Sequence, residues 1–247
     1  MSTELSRREL IAQLTAGAAL AAIPAMASAD TPAPTKSPRP VGTAFTAIPL
    51  SDKLKNTEKN GITFKTHQAH YGLYQGYVKK ANEIQEKLSA LGVPDVKTAN
   101  QTYSDIRELK VEYSFAIGGI KNHELYFGIL GGDGGTPAGE LSAAIAKDFG
   151  SWDIYVADLK ATAIASRGWV WTALDLDYGT LFNYAGDSQN TFPVWSAIPI
   201  LALDVYEHAY IADFSTARAK YIDAFMASVD WTSVGTRYSI ALRKQRG

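Results

Sequence analysis

The chain has 247 residues, a formal net charge of −1, 46% hydrophobic residues and no cysteine. That length sustains a full core in one large or two small domains, and the near-neutral balance gives no bulk electrostatic case for nucleic acid or a membrane surface as partner. The lack of cysteine excludes disulfide scaffolds, zinc–thiolate sites and thiol catalysis, and leaves histidine and carboxylates as the strong metal ligands.

Arg7 and Arg8 precede an apolar, Ala-rich run from Leu10 to Met26, and Ala27-Ser28-Ala29 offers the small residues of a cleavage site. The pattern predicts a signal peptide of the twin-arginine type over 1–29. The run is short and broken by Gln13, Thr15 and Pro24, which disfavours a membrane anchor. The mature chain then begins near Asp30, periplasmic or secreted, with no membrane segment. Residues 30–57, rich in Pro, Thr, Ser and Lys, read as an extended or disordered linker.

Helical spacing predicts a helix from Ile62 to Leu91. It carries His67 and His70, with Tyr74 and Tyr77 on the face of His70. A second helix runs from about Asp105 to Leu130, interrupted at Gly118 and Gly119, and contains Asn122-His123-Glu124-Leu125-Tyr126-Phe127. The Gly-rich stretch 131–137 is not followed by the Gly-Lys-Ser/Thr of a phosphate loop and reads as a domain connection.

Helices are predicted over 140–148 and 153–166, and strands over 168–174, 180–185 and 196–203. A helix near 216–228 and a short one near 233–242 close the chain. The fold class is α+β: a long N-terminal helical hairpin (58–133), then a domain (134–247) with a small antiparallel three-stranded sheet and flanking helices.

Asp204 and His208 share one face if the chain turns helical after the third strand. Such a pair can serve a first-row transition metal, but taken alone it is more often a core Asp–His hydrogen bond. The surrounding residues resolve this only by resemblance. Asp204-Val205-Tyr206-Glu207-His208-Ala209-Tyr210 closely resembles the D-V-W-E-H-A-Y signature of the iron/manganese superoxide dismutase family, and Asn122 to Phe127 resembles its N-H-x-x-Y/F-W motif. Phe149-Gly150-Ser151 and Gly168-Trp169-Val170-Trp171 match the family's F-G-S and G-W-x-W landmarks in order, so the resemblance spans roughly residues 60–245.

The resemblance implies a superoxide dismutase, an oxidoreductase that turns superoxide into oxygen and hydrogen peroxide by cycling one Mn or Fe ion. It implies the ligand set His70, His123, Asp204 and His208. The family places its first ligand eight residues before a gatekeeping tyrosine, whereas Tyr77 lies seven after His70. A one-residue deletion in this helix is inferred, with His67 as the alternative ligand or else a solvated helix residue. Tyr77 is the implied proton relay. Gln189 aligns with the glutamine that manganese-type members present at the site, and Gly119 stands where iron-type members carry theirs; this leans toward Mn. The other reading of Gln189 is an ordinary loop residue.

Tyr206 and Phe127 replace family tryptophans. The family dimer pairs a His of the first helix with a Tyr beyond the last ligand; here Leu73 or Tyr74 faces Ile211. Glu207 is retained and implies a homodimer through the last ligand. Arg218 matches the family's anion-drawing Arg, or is a surface salt-bridge partner. Two other functions stay open: an exported dismutase-like metal-binding protein without turnover, and a metal-assisted hydrolase with Glu207 as base.

Overall fold

The first long helix, α1 (Phe64–Ala90), starts where the Thr63 side chain accepts the Thr66 amide. The computed structural model describes residues 42–246, so the predicted signal peptide and the linker through residue 41 lie outside it. The second helix, α2 (Asp105–Gly128), is capped by Ser104, with Asp105 and Glu108 set against the positive end of its dipole. Tyr74, Val78, Ala81, Ile84 and Leu88 of α1 pack on Ala116 and Ile120 of α2 to form the hairpin core.

Contrary to the predicted interruption, α2 runs unbroken through Gly118 and Gly119. A Cβ at Gly118 would lie 2.2 Å from the Gln189 carbonyl oxygen, and one at Gly119 2.6 Å from the Tyr77 ring. The glycines are there for close approach by other parts of the chain, and helical hydrogen bonding survives them.

Order also begins earlier than composition suggests. The Asn82 side chain brackets Phe45, accepting its amide at 2.7 Å and donating to its carbonyl at 2.9 Å. Ile48 donates to the Tyr74 hydroxyl at 2.8 Å. These side chains satisfy an extended strap that lacks a sheet partner. A 3₁₀ helix, Asp52–Asn60, follows where the linker was expected to continue to residue 57; it buries Leu54 and Thr57 and ends on Gly61 at φ 94°.

After α2, the amides of Gly131 and Gly132 both reach the Ser228 carbonyl at 3.0 Å, and Gly134 reaches Val229 at 3.1 Å. The Gly-rich loop thus spends its donors on the chain itself. Helices α3 (Gly139–Phe149) and α4 (Trp152–Ala165) lead into β1 (Trp169–Asp175), β2 (Thr180–Gly186) and β3 (Ala197–Asp204). The sheet is antiparallel in the order β2-β1-β3. Pro199 is accommodated because β3 is an edge strand and the β1–β3 register shifts between Thr172 and Ala173. A 3₁₀ turn (Glu207–Ala209), the short α5 (Ile211–Phe214), α6 (Arg218–Ser228) and α7 (Trp231–Gln245) complete the chain. The last helix is longer than predicted because Asp230 caps it, accepting from Thr232 and Ser233.

Leu125, Tyr126 and Ile129 at the end of α2 share one core with Trp169, Val170, Leu201 and Leu203 of the sheet and Tyr221 and Phe225 of α6. The hairpin therefore meets the sheet at α2, beside the end of β3. No helix among the described residues is long and apolar enough to cross a membrane.

Candidate metal centre

Four elements each deliver one side chain to this junction: His70 from α1, His123 from α2, Asp204 from the end of β3 and His208 from the 3₁₀ turn. Their ligand atoms all lie within 4.8 Å of one another. Asp204 is oriented by its own backbone, since its Oδ1 accepts the Tyr206 amide at 2.9 Å. Its Oδ2 faces His70 Nε2 at 3.0 Å, His208 Nε2 at 3.2 Å and His123 Nε2 at 3.8 Å. The turn after Asp204 is 3₁₀ rather than α-helical, yet it still brings Asp204 and His208 together.

His123 Nδ1 donates to the Gly119 carbonyl at 2.6 Å, which fixes the tautomer with a lone pair on Nε2. That Nε2 is buried and has no hydrogen-bond partner among the described residues. Burial, then the nearby His70, lowers the His123 pKa to about 3, and burial also lowers that of His70. Burial alone would raise Asp204; hydrogen bonds from His208 and His70 outweigh it and hold the carboxyl below its usual range. At neutral pH a fully buried carboxylate thus faces neutral His70 and His123, one of them with an unused lone pair. Nitrogen-rich donors around one carboxylate suit a first-row transition cation and poorly suit Ca²⁺ or Mg²⁺, which take oxygen shells. The residues fit such an ion.

His67 lies outside this cluster. It is fully buried rather than solvated, and its Nε2 sits 2.9 Å from Thr57 Oγ1. Composition hid this partner, because Thr57 falls where the sequence reads as linker.

Gln189 is buried and held on three sides. Its Nε2 donates to the Tyr77 hydroxyl at 3.2 Å, and its Oε1 accepts from Trp169 Nε1 at 3.0 Å. Its carbonyl accepts from Asn122 Nδ2 at 3.1 Å, and Trp171 Nε1 in turn donates to Asn122 Oδ1 at 3.2 Å. Gln189 is therefore no ordinary loop residue. Asn122, Trp169 and Trp171 were visible in the sequence only as motif letters; here they orient the glutamine. The Tyr77 ring lies 5.4 Å from that of His123. Burial, then the nearby Tyr206 and Asp204, raises the Tyr77 pKa, so the phenol keeps its proton at neutral pH.

Tyr206 stacks on His208 at 5.3 Å, and Phe127 meets His70 edge-on at 5.2 Å. Tyr74 is buried, its hydroxyl 2.9 Å from Glu124, whereas Leu73 and Ile211 are 44% and 48% exposed. Glu207 is exposed. Arg218 donates to the Ser166 carbonyl at 2.8 Å and to the Tyr210 hydroxyl at 3.2 Å. No ion pair involves it among the described residues.

A helical hairpin joined to a three-stranded sheet, with three imidazoles and one carboxylate converging at the junction, defines the class: a protein built to hold a metal ion at one nitrogen-rich centre among the described residues. Comparison with known proteins narrows the class. The family model for iron/manganese superoxide dismutases, C-terminal domain, matches residues 137–237. The chain is 42% identical to the Fe superoxide dismutase of Aquifex aeolicus, over 79% of this chain and 93% of that protein. It is 37% identical to the Fe superoxide dismutase of Cupriavidus metallidurans, over 74% and 91%, and 34% identical to the Mn superoxide dismutase of Mycobacterium intracellulare, over 75% and 89%. The chain belongs to the iron/manganese superoxide dismutase family.

Proposed function

We infer that this protein is a superoxide dismutase, taking two superoxide ions and two protons to one oxygen and one hydrogen peroxide. Iron or manganese would be held by His70, His123, Asp204 and His208. The observation that carries this reading is the buried His123 Nε2, without a partner among the described residues and aimed at the oxygen of Asp204 that also faces His70 and His208. The ion supplies one-electron exchange in both directions.

The chain's own residues supply geometry and protons. Gly119 and Tyr206 fix His123 and Asp204 through backbone groups, so the donors are set before any ion arrives. Gln189 points its amide N–H at Tyr77 because Trp169 occupies its oxygen. The Tyr77 hydroxyl accepts that bond and keeps its own proton available for donation beside the site. Tyr206 and Phe127 wall the centre with rings and limit water around it.

The glutamine on the β2–β3 loop with glycine at 119 motivates manganese, while relatives of both metal types support either ion. Export by the twin-arginine route, with a periplasmic or secreted mature chain, is proposed from residues 1–29. A homodimer is proposed through Glu207, with exposed Leu73 and Ile211 at the contact in place of a polar pair.

Metal analysis with a superoxide assay tests the activity. The expected result is near-stoichiometric Fe or Mn with turnover, both lost in His70→Ala and kept in part by His67→Ala. Turnover and metal that survive His70→Ala would overturn the ligand assignment. A chain holding only zinc, inert to superoxide, would support the metal-binding protein without turnover. Sedimentation of Leu73→Lys tests the dimer, and a monomeric wild type would refute it.

A further inference from the structure

His67 is a fourth imidazole buried close to the centre that the chemistry above does not use. Its surroundings fix its tautomer. Thr57 Oγ1 lies 2.8 Å from the Leu54 carbonyl, 2.7 Å from the Ile62 carbonyl and 2.9 Å from His67 Nε2. A hydroxyl has one proton, and carbonyls only accept. That proton is taken by the carbonyls, so His67 Nε2 must be the donor to Thr57. Burial, then the nearby His70, lowers the His67 pKa to about 4, so the ring is neutral at neutral pH and carries a single ring proton. Its Nδ1 is therefore a bare acceptor, and it is buried with no partner among the described residues.

His70 presents the complement. It offers Nε2 to the cluster, so when it holds an ion its proton sits on Nδ1. That Nδ1 is also buried, with no partner among the described residues. The two histidines stand three residues apart on one face of α1. Both rings pack against the same two side chains: Tyr126 at 6.3 and 5.1 Å, and Phe127 at 6.2 and 5.2 Å. With an ion on His70 Nε2, a donor on His70 and an acceptor on His67 thus lie against the same two rings, neither with a partner among the described residues.

We propose that His67 is a positioning residue for the metal centre: Thr57 locks its tautomer, and its Nδ1 accepts, through one buried water, the Nδ1–H of ligand His70. A bridging water needs polar partners on both sides, which these two atoms provide. Such an acceptor orients the ligand ring and raises its basicity. A more basic His70 favours the oxidised over the reduced ion and tightens binding. The inference rests on His70 being a ligand.

The test uses side chains that copy one nitrogen each. His67→Asn keeps an acceptor at the Nδ1 position and loses the bond to Thr57; His67→Gln keeps a donor at the Nε2 position and loses the acceptor; His67→Phe keeps only the ring. Chelator competition for Mn²⁺ should show His67→Gln and His67→Phe weakened about 10- to 100-fold, with His67→Asn near wild type. The potential should rise in the first two, by about 59 mV for each tenfold loss of preference for the oxidised ion. A merely structural histidine would reverse the order, because His67→Asn forfeits the Thr57 bond. That reversal, or equal affinities and potentials in all three, overturns the proposal. Nitrogen-15 NMR of the wild-type metal-free chain should find the His67 proton on Nε2; a proton on Nδ1 refutes the inference even if every variant misfolds. A wild type that takes up neither metal sinks the ligand assignment itself, whereas one that binds Mn²⁺ no better than His67→Gln sinks only this inference.

Discussion

Replacing Gly118 by alanine should destabilise the protein although alanine is the better helix former. Intrinsic propensity favours the change by about 1 kcal/mol. Against this, the new Cβ would sit 2.2 Å from the Gln189 carbonyl oxygen and 2.8 Å from its carbonyl carbon. Those atoms are backbone and cannot swing aside as a side chain can. Overpacking of this kind costs about 1–3 kcal/mol. The same carbonyl accepts from Asn122 at 3.1 Å, and losing that bond adds about 1 kcal/mol. The balance is a net loss of about 1–3 kcal/mol. At Gly235, inside α7, no described group beyond its chain neighbours and the helix's own backbone lies within 4 Å of the point where an alanine methyl would stand, so Gly235→Ala should instead gain up to about 1 kcal/mol. Urea unfolding of both variants, metal-free at one protein concentration, measures the difference directly. The clash also pushes Gln189 away from Tyr77, so metal-loaded Gly118→Ala should lose turnover more than metal. Equal gains in stability for Gly118→Ala and Gly235→Ala would refute the packing argument.

The same pair of glycines shows where sequence reasoning reaches and where it stops. Periodicity placed α1 within two residues of its ends, since its apolar positions and the Thr63 cap are local features. It read Gly118-Gly119 as a break because the groups that press on them, Gln189 and Tyr77, are distant in the chain. The strands were legible for a local reason too: aromatic and branched residues bounded by turns. The candidate ligands were legible through motif letters, not through geometry. His70 and Asp204 are 134 positions apart, and no spacing rule joins them. His67 was misplaced for a related reason. Its environment depends on Thr57, in a segment whose composition mimics a linker but whose backbone is tied down by Asn82, Tyr74 and a 3₁₀ helix.

Asp204→Asn should cut Mn or Fe content at least about tenfold by removing the one anionic donor, and unchanged metal analysis would refute its role. Tyr77→Phe should leave metal content intact and slow proton-limited turnover by about tenfold or more, measured by pulse-generated superoxide; an unchanged rate would deny the hydroxyl its role. The pH dependence of metal-free stability follows from His67. Above pH 6.5 the ring is neutral folded and unfolded, and it favours neither state. Below 6.5 the unfolded chain takes up a proton that the folded chain refuses until about pH 4, so stability is lost as pH falls through that window. A gap of about 2.5 units is worth about 3 kcal/mol. Asp204 does not offset this, because its lowered pKa makes its contribution fade only below its unfolded value of 3.8. His123 and His70, whose pKa values burial also lowers, add losses of the same sign, but they do so equally in wild type and in His67→Gln. The stability profiles of those two proteins should therefore converge by about 3 kcal/mol between pH 6.5 and pH 4. Parallel profiles would show that His67 takes up its proton as readily in the folded chain as in the unfolded one.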